Sequence, residues 1–255
     1  MARNVYVIGT AGCGKSTMVR AFHEWLAAQG LDSVLVNLDP GAEELLYDAE
    51  VDVRDWIKLS EVMEEHGLGP NGAQVVAADM LALNAGEVAE VLDGFKTNYF
   101  LIDTPGQMEL FTFRESSKVV IDAFGREDSI LVYLNDPALV KTPSGLISSV
   151  LLSATAQFRH SLPFINVLSK ADLLAEEDLE KVVNWSGDPI ALYDALMEDS
   201  TTPKTLLDVE FMKGLETIGV YRRLLPVSSE AMFGFEEVYN QIQLVFEGGE
   251  DLRPD

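Results

Sequence analysis

The segment Gly9-Thr10-Ala11-Gly12-Cys13-Gly14-Lys15-Ser16 constrains this chain more than any other. It follows the apolar run Asn4-Val5-Tyr6-Val7-Ile8 and opens a helical stretch over residues 15–29. In that strand–loop–helix setting, G-x-x-x-x-G-K-[ST] reads as a phosphate cradle. Glycines let backbone N–H groups turn toward a β-phosphate, and the helix N-terminus adds its dipole. Lys15 is placed to bridge the β- and γ-phosphates, and the Ser16 hydroxyl to ligate Mg²⁺. Gly12, Cys13, Gly14, Lys15, Ser16 and Thr17 are expected to wrap the phosphates. Cys13, at a variable position of the loop, reads as a spectator rather than a nucleophile.

The rest of the chain alternates short β-rich runs with longer helical stretches, which predicts an α/β fold: a mostly parallel sheet flanked by helices. Strands are expected at residues 4–8, 33–38, 98–102, 129–134, 163–168 and 221–227, apolar enough to be buried on both faces. Helices are expected at residues 15–29, 73–94, 111–124, 143–161, 176–185 and 234–247. Residues 188–219 also read as helical, broken at Ser200-Thr201-Thr202-Pro203. Residues 1–255 read as one domain with a polar, frayed tail at 247–255. About sixty residues separate the second and third strands, more than a crossover helix needs, so a helical insertion is expected at about 40–97.

Composition narrows the function classes. A formal charge of −24 repels phosphate backbones, so direct nucleic-acid binding is not expected. Arg222-Arg223 is the only adjacent basic pair. No apolar run reaches the roughly 20 residues of a membrane helix, and the N-terminal segment is too short and strand-like for a signal peptide. A cytoplasmic location with no membrane partner is expected. The single cysteine excludes an internal disulfide and a cysteine zinc cluster. The three histidines, His23, His66 and His160, lack metal-ligand spacing.

Two further loops fit the same ligand. The strand ending in Leu101-Ile102-Asp103-Thr104-Pro105-Gly106-Gln107 carries Asp-x-x-Gly. In phosphate-loop proteins that aspartate holds Mg²⁺ through water, and the glycine N–H meets the γ-phosphate. Loss of the γ-phosphate would release the loop that follows. Gln107 takes the place from which Ras-like GTPases orient the attacking water, and Glu109 could support it. Asp39, ending the second strand in Asn37-Leu38-Asp39-Pro40, faces the crevice at the strand C-termini as a Mg²⁺-water ligand or a general-base helper. The metal set is thus Ser16, Asp39 and Asp103. After the fifth strand, Ser169-Lys170-Ala171-Asp172 matches the guanine-reading Asn-Lys-x-Asp except at Ser169. There the aspartate accepts from N1 and the exocyclic amine, a pair adenine does not offer. Ser228 and Ser229 follow the last strand, where a backbone N–H would meet guanine O6.

In this order, together with Gly69-Pro70-Asn71-Gly72-Ala73 inside the insertion, these motifs resemble the GPN-loop GTPases over essentially the whole chain. The resemblance implies GTP hydrolysis to GDP and phosphate with Mg²⁺, and a tight homodimer. In that dimer Asn71 would reach the partner's γ-phosphate as a trans-acting finger does. It also implies a switch that could serve assembly of a client protein; eukaryotic relatives are linked to RNA polymerase assembly or import. Taken alone, Gly-Pro-Asn-Gly is simply a turn. Rival readings are a partition-type ATPase, whose extra loop lysine is replaced here by Thr10-Ala11, and a nucleotide or polynucleotide kinase, whose arginine-rich lid is missing from nine scattered arginines. A GTP-gated scaffold with little turnover is a third.

Overall fold

The computed structural model describes residues 2–199, 203–221 and 223–247. In chain order its elements are β1 (Arg3–Gly9), α1 (Lys15–Ala28), β2 (Ser33–Asn37), β3 (Val51–Asp52), α2 (Leu59–His66), α3 (Pro70–Asp93), β4 (Tyr99–Asp103), α4 (Met108–Thr112), α5 (Glu115–Phe124), β5 (Ser129–Asn135), α6 (Pro137–Val140), α7 (Pro143–His160), β6 (Phe164–Leu168), α8 (Glu176–Gly187), α9 (Pro189–Asp199), α10 (Pro203–Thr217), β7 (Leu225–Pro226) and α11 (Phe235–Glu247).

The strands form one sheet in the order β3-β2-β4-β1-β5-β6-β7, with every neighbouring pair parallel. Alternation along β1 shows why it lies at the centre. Val5 and Val7 enter one apolar cluster with α1 and α11, while Tyr6 and Ile8 enter the opposite one with α3 and α5. A strand apolar on both faces is stable only between two helical layers. A third cluster joins α7 to α8, α9 and α10. After β1 the chain builds β2 and β4 on one side of it and β5 and β6 on the other. A crevice therefore opens at the C-terminal end of β1, the place where ligands bind in open α/β sheets.

Several expected elements differ in detail. The insertion holds a two-residue strand, β3, that the polar surroundings of Val51 concealed; its register is Val36 to Val51 and Asn37 to Asp52. The helix expected from residue 73 begins at Pro70, with Gly69 as its extended N-cap (φ −74°, ψ 170°). Proline at a first helical position loses no needed hydrogen bond, so Gly-Pro-Asn starts a helix instead of forming a separate turn. The helix expected at residues 111–124 splits into α4 and α5. Arg114 is extended there, and Arg159 takes the freed carbonyls of Thr112 and Phe113 at 3.4 and 3.1 Å. The strand expected at 221–227 shrinks to Leu225–Pro226, because the N–H groups of Tyr221 and Leu224 are taken outside the ladder, by the Leu215 carbonyl and the Ser186 hydroxyl. The helical region at 188–219 divides into α9 and α10; residues 200–202 between them, Arg222 and the expected tail at 248–255 lie outside the described residues. No described helix is long and apolar enough to cross a membrane.

His160, at the end of α7, is buried with its ring 5.3 Å from that of Phe111 on α4. Neither ring nitrogen has a hydrogen-bond partner among the described residues. Burial, with the charges of Arg126, Arg159 and Lys118, lowers its pKa to about 4. A histidine with a depressed folded pKa contributes stability that is complete above its unfolded pKa near 6.5 and lost as pH falls through 4. His160→Leu is expected to gain about 3 kcal/mol over the wild type between pH 7 and pH 4. Urea denaturation across that range checks this; parallel stability curves for the two proteins would contradict it.

Candidate functional site

The C-terminal edge of the sheet gathers the loops that follow β1, β2, β4, β5, β6 and β7. The loop after β1 depends on glycine at two points. A Cβ at Gly9 would lie 2.7 Å from Cys13 Sγ and 2.9 Å from the Leu134 carbonyl oxygen. Gly14 caps α1 with φ 97°, a left-handed conformation that side chains disfavour. Cys13 is fully buried, and burial pushes its thiol pKa up. The thiol is thus a neutral core group, consistent with its reading as a spectator.

Lys15 is only 6% exposed. Its ammonium group donates to the carbonyls of Gly9 and Thr10, each at 3.1 Å, and of Gly106 at 2.9 Å. All three donors are satisfied, yet none meets a carboxylate. A desolvated cation with only neutral acceptors is well placed for an anion.

Gly106 is gripped from its other side as well. Its N–H donates to Asp39 Oδ2 at 2.9 Å, while Asp39 Oδ1 accepts from the Gly41 N–H at 2.9 Å. The Gly106 amide, expected to meet a γ-phosphate, is thus engaged by Asp39. Asp39 is itself fixed through Asn37, whose Oδ1 accepts the Asp39 N–H at 3.0 Å and whose Nδ2 donates to Asp52 Oδ1 at 2.9 Å. Burial alone would raise the Asp52 pKa, but the Arg54 and Asn37 bonds outweigh it and hold the carboxyl below its usual range. Arg54 also reaches the Ala42 carbonyl at 2.9 Å, pinning the loop after Asp39.

Asp103 ends β4 almost wholly enclosed, at 2% exposure. Its Oδ2 accepts the Tyr47 hydroxyl at 3.0 Å, and its Oδ1 has no hydrogen-bond partner among the described residues. Burial pushes its pKa up to about 6, opposed by the hydroxyls of Ser16 and Tyr47 and the charge of Lys15, with Asp39 adding to the rise. A buried carboxylate oxygen without a partner is costly unless something else completes it. Ser16 and Asp103, with Asp39 nearby, could hold Mg²⁺, which keeps several waters and phosphate oxygens instead of an all-protein cage. Among the described residues no group of three or more His, Cys, Asp or Glu side chains is placed to hold a metal ion.

On the other flank, a cavity of about 180 Å³ is lined by Gly14, Thr17, Lys170, Asp172, Leu173 and Ser229, among others. Ser169 is buried and donates to the Asn135 carbonyl at 3.1 Å. Lys170 reaches the Gly12 carbonyl and, at 3.1 Å, Asp136. The structure separates Ser228 from Ser229. Ser228 is fully buried, donates its N–H to the Phe233 carbonyl at 3.1 Å and caps Ala231; Ser229 lines the cavity.

Gln107 and Glu109 are exposed beside the phosphate side of the crevice. Gln107 Nε2 donates to Gln74 Oε1 at 3.2 Å, on the first turns of α3. Gly69, Pro70 and Asn71 are exposed at the start of that helix. Sequence reasoning missed Tyr47, Gln74, Arg54 and Asp136, because each meets its partner only through the fold.

The chain matches a family model described as a conserved hypothetical ATP binding protein over residues 7–248. It is similar to GPN-loop GTPase 3 of Eremothecium gossypii, 30% identical over 98% of this chain and 94% of that protein. GPN-loop GTPase 1 of Dictyostelium discoideum is 28% identical over 85% of this chain, which spans only 56% of that longer protein. The crystal structure of an apo-form GTPase from Pyrococcus abyssi superposes with a TM-score of 0.84 at 30% identity, covering 94% of this chain and 96% of that one. With the Gly-Pro-Asn segment heading α3 and the phosphate cradle at the end of β1, the chain belongs to the GPN-loop GTPase family.

Proposed function

We propose that this chain binds GTP with Mg²⁺ and hydrolyses it to GDP and phosphate, as a homodimeric switch built on one domain. The observation that carries the reading is the backbone of Gly106, its carbonyl held by Lys15 and its N–H by Asp39. A γ-phosphate arriving at the cradle would draw on both holds at once. Lys15 would turn from three carbonyls to the phosphate oxygens, and the Gly106 N–H would become available to the same group. The segment after Gly106 would therefore take different positions in the two nucleotide states.

In this reading Gly12 to Thr17 wrap the phosphates, and Ser16, Asp103 and Asp39 hold the metal directly or through water. Mg²⁺, when bound, neutralises phosphate charge and orients the triphosphate. Gln107, once released from Gln74, positions the attacking water with Glu109 in support. Lys170 and Asp172 read guanine, with Ser229 closing the base cavity. The family description names ATP; the two carboxylate acceptor sites of Asp172 match the adjacent donors of guanine, so GTP is the better fit. Asn71, exposed at the head of a 24-residue helix, would act on a partner subunit's phosphates. Assembly of a client protein complex in the cytoplasm is the role such a switch would serve.

Three substitutions test the scheme. Lys15→Ala is expected to weaken Mg²⁺-nucleotide binding or turnover by about 100-fold or more, since no other side chain supplies that charge; calorimetric titration and phosphate release within a few-fold of wild type would remove the site. Asp172→Asn is expected to cost GTP affinity on the order of 100-fold and ATP affinity little. Equal loss for both nucleotides would show that this loop does not read the base. Asn71→Ala is expected to lower turnover roughly 100-fold while the dimer mass persists. Light scattering alongside the assay separates the two effects, and unchanged turnover would leave Gly69-Pro70-Asn71 as a helix start only.

A further inference from the structure

The base loop poses a physical question that its sequence alone does not answer. Lys170 sits in the left-handed backbone region with φ 49°. A long side chain holds that conformation only when its surroundings fix it, and such strain tends to mark functional positions. Ser169, where guanine-reading loops carry asparagine, is a short side chain with one hydroxyl to contribute.

The fixing contacts come from the end of β5. The backbone N–H and the hydroxyl of Ser169 both donate to the Asn135 carbonyl, each at 3.1 Å. The next residue, Asp136, receives the Lys170 ammonium on Oδ2 at 3.1 Å. Asp136 does not swing freely, because its Oδ1 accepts the Ala138 N–H at 2.9 Å and caps α6. From that anchor the Lys170 stem crosses the phosphate loop to the Gly12 carbonyl. It lies so close over Gly14 that a Cβ there would be 3.5 Å from Lys170 Cε. The stem thus forms one wall of the cavity that Asp172 also lines.

We propose that Asp136 is a specificity-determining positioning residue for the base. It pins Lys170 across the phosphate loop, and the pinned, left-handed Lys170 sets the direction in which Asp172 two residues on presents its carboxylate. With the anchor removed, Lys170 regains its freedom, the strained backbone relaxes, and Asp172 loses its aim at the two donors of guanine. An adenine nucleotide, held by the phosphate loop alone, feels little of this. The inference rests on the guanine reading above and adds a residue to it.

The test measures dissociation constants of GTP, GDP, ATP and ADP, each with Mg²⁺, for the full-length wild type, Asp136→Asn and Asp136→Ala. Asparagine keeps the oxygen that caps α6 and removes the charge that holds Lys170, so its thermal midpoint reports folding separately. The expected result is a guanine affinity weakened about tenfold in Asp136→Asn, adenine affinity unchanged within twofold, and an unchanged midpoint. Asp136→Ala should show the same loss of selectivity with a lower midpoint. Equal losses for both bases, or a guanine preference intact in Asp136→Asn, would overturn the role of Asp136 alone. A wild type without guanine preference would overturn it together with the base reading.

Discussion

The backbone of Gly106, its carbonyl held by an ammonium group and its N–H by a carboxylate, is the contact on which the site's geometry depends. Lys15 opens α1 after the loop that follows β1, Asp39 lies just past β2 and Gly106 just past β4, three strands adjacent in the sheet. Charge-assisted hydrogen bonds of this kind are roughly twice as strong as neutral ones, and stronger still where water is excluded. Lys15 and Asp39 share no hydrogen bond; two consecutive peptide groups, joined at Gly106, lie between them. Any ligand that competes for one side therefore alters the balance at the other.

The two flanks of that peptide differ in sign. Lys15 and the amides of the loop after β1 offer positive potential without a nearby anion in contact with the ammonium. Asp103, Asp39 and Asp52 crowd the other side. Burial raises the Tyr47 phenol pKa, and these carboxylates raise it further, so Tyr47 stays a donor to Asp103 Oδ2. One carboxylate oxygen is thereby held, and the other has no hydrogen-bond partner among the described residues. In the proposed function, a triphosphate bearing a divalent cation would complement both flanks, with oxygens toward Lys15 and the cation toward Asp103. This pairing supports a magnesium nucleotide over a free anion, which would meet the carboxylates unshielded.

The elements legible in the sequence are those whose chemistry is contiguous. Gly9 to Ser16 and Asp103 to Gly106 each carry a complete local pattern, Ser169 to Asp172 one that departs only at Ser169, and β1 and α1 stand out as an apolar run and a helical stretch on either side of the first loop. What escaped the sequence was partnership across the fold. Tyr47 is 56 residues from Asp103, Gln74 is 33 from Gln107, and Asp136 is 34 from Lys170. No spacing rule links such pairs before the sheet order is known. β3 escaped because two residues carry no alternation, and the break between α4 and α5 because it depends on Arg159 from a distant helix. Ser228 read as a base contact by position, yet the short turn to Phe233 uses its N–H internally.

The Gly-Pro-Asn segment gains its meaning from what lies farther along the same helix. Gln74 bonds Gln107, and Asp79, less than two turns on, pairs with Arg114. These contacts fall on either side of α4, so α3 is tied to both ends of the short helix that follows Gly106. A helix resists bending within two turns. If Gly106 and Gln107 move when Lys15 or Asp39 changes partner, either the Gln74 bond breaks or the head of α3 moves with them. The second tie, bidentate between Arg114 and Asp79, resists sliding along the helix axis. Asn71, one turn before Gln74 and exposed, lies at the end that such a displacement would move most. On the proposed function the same connection would run in reverse: a partner that fixed the head of α3 would restrain Gln107, and contact at the surface would be coupled to order at the phosphate side through α3.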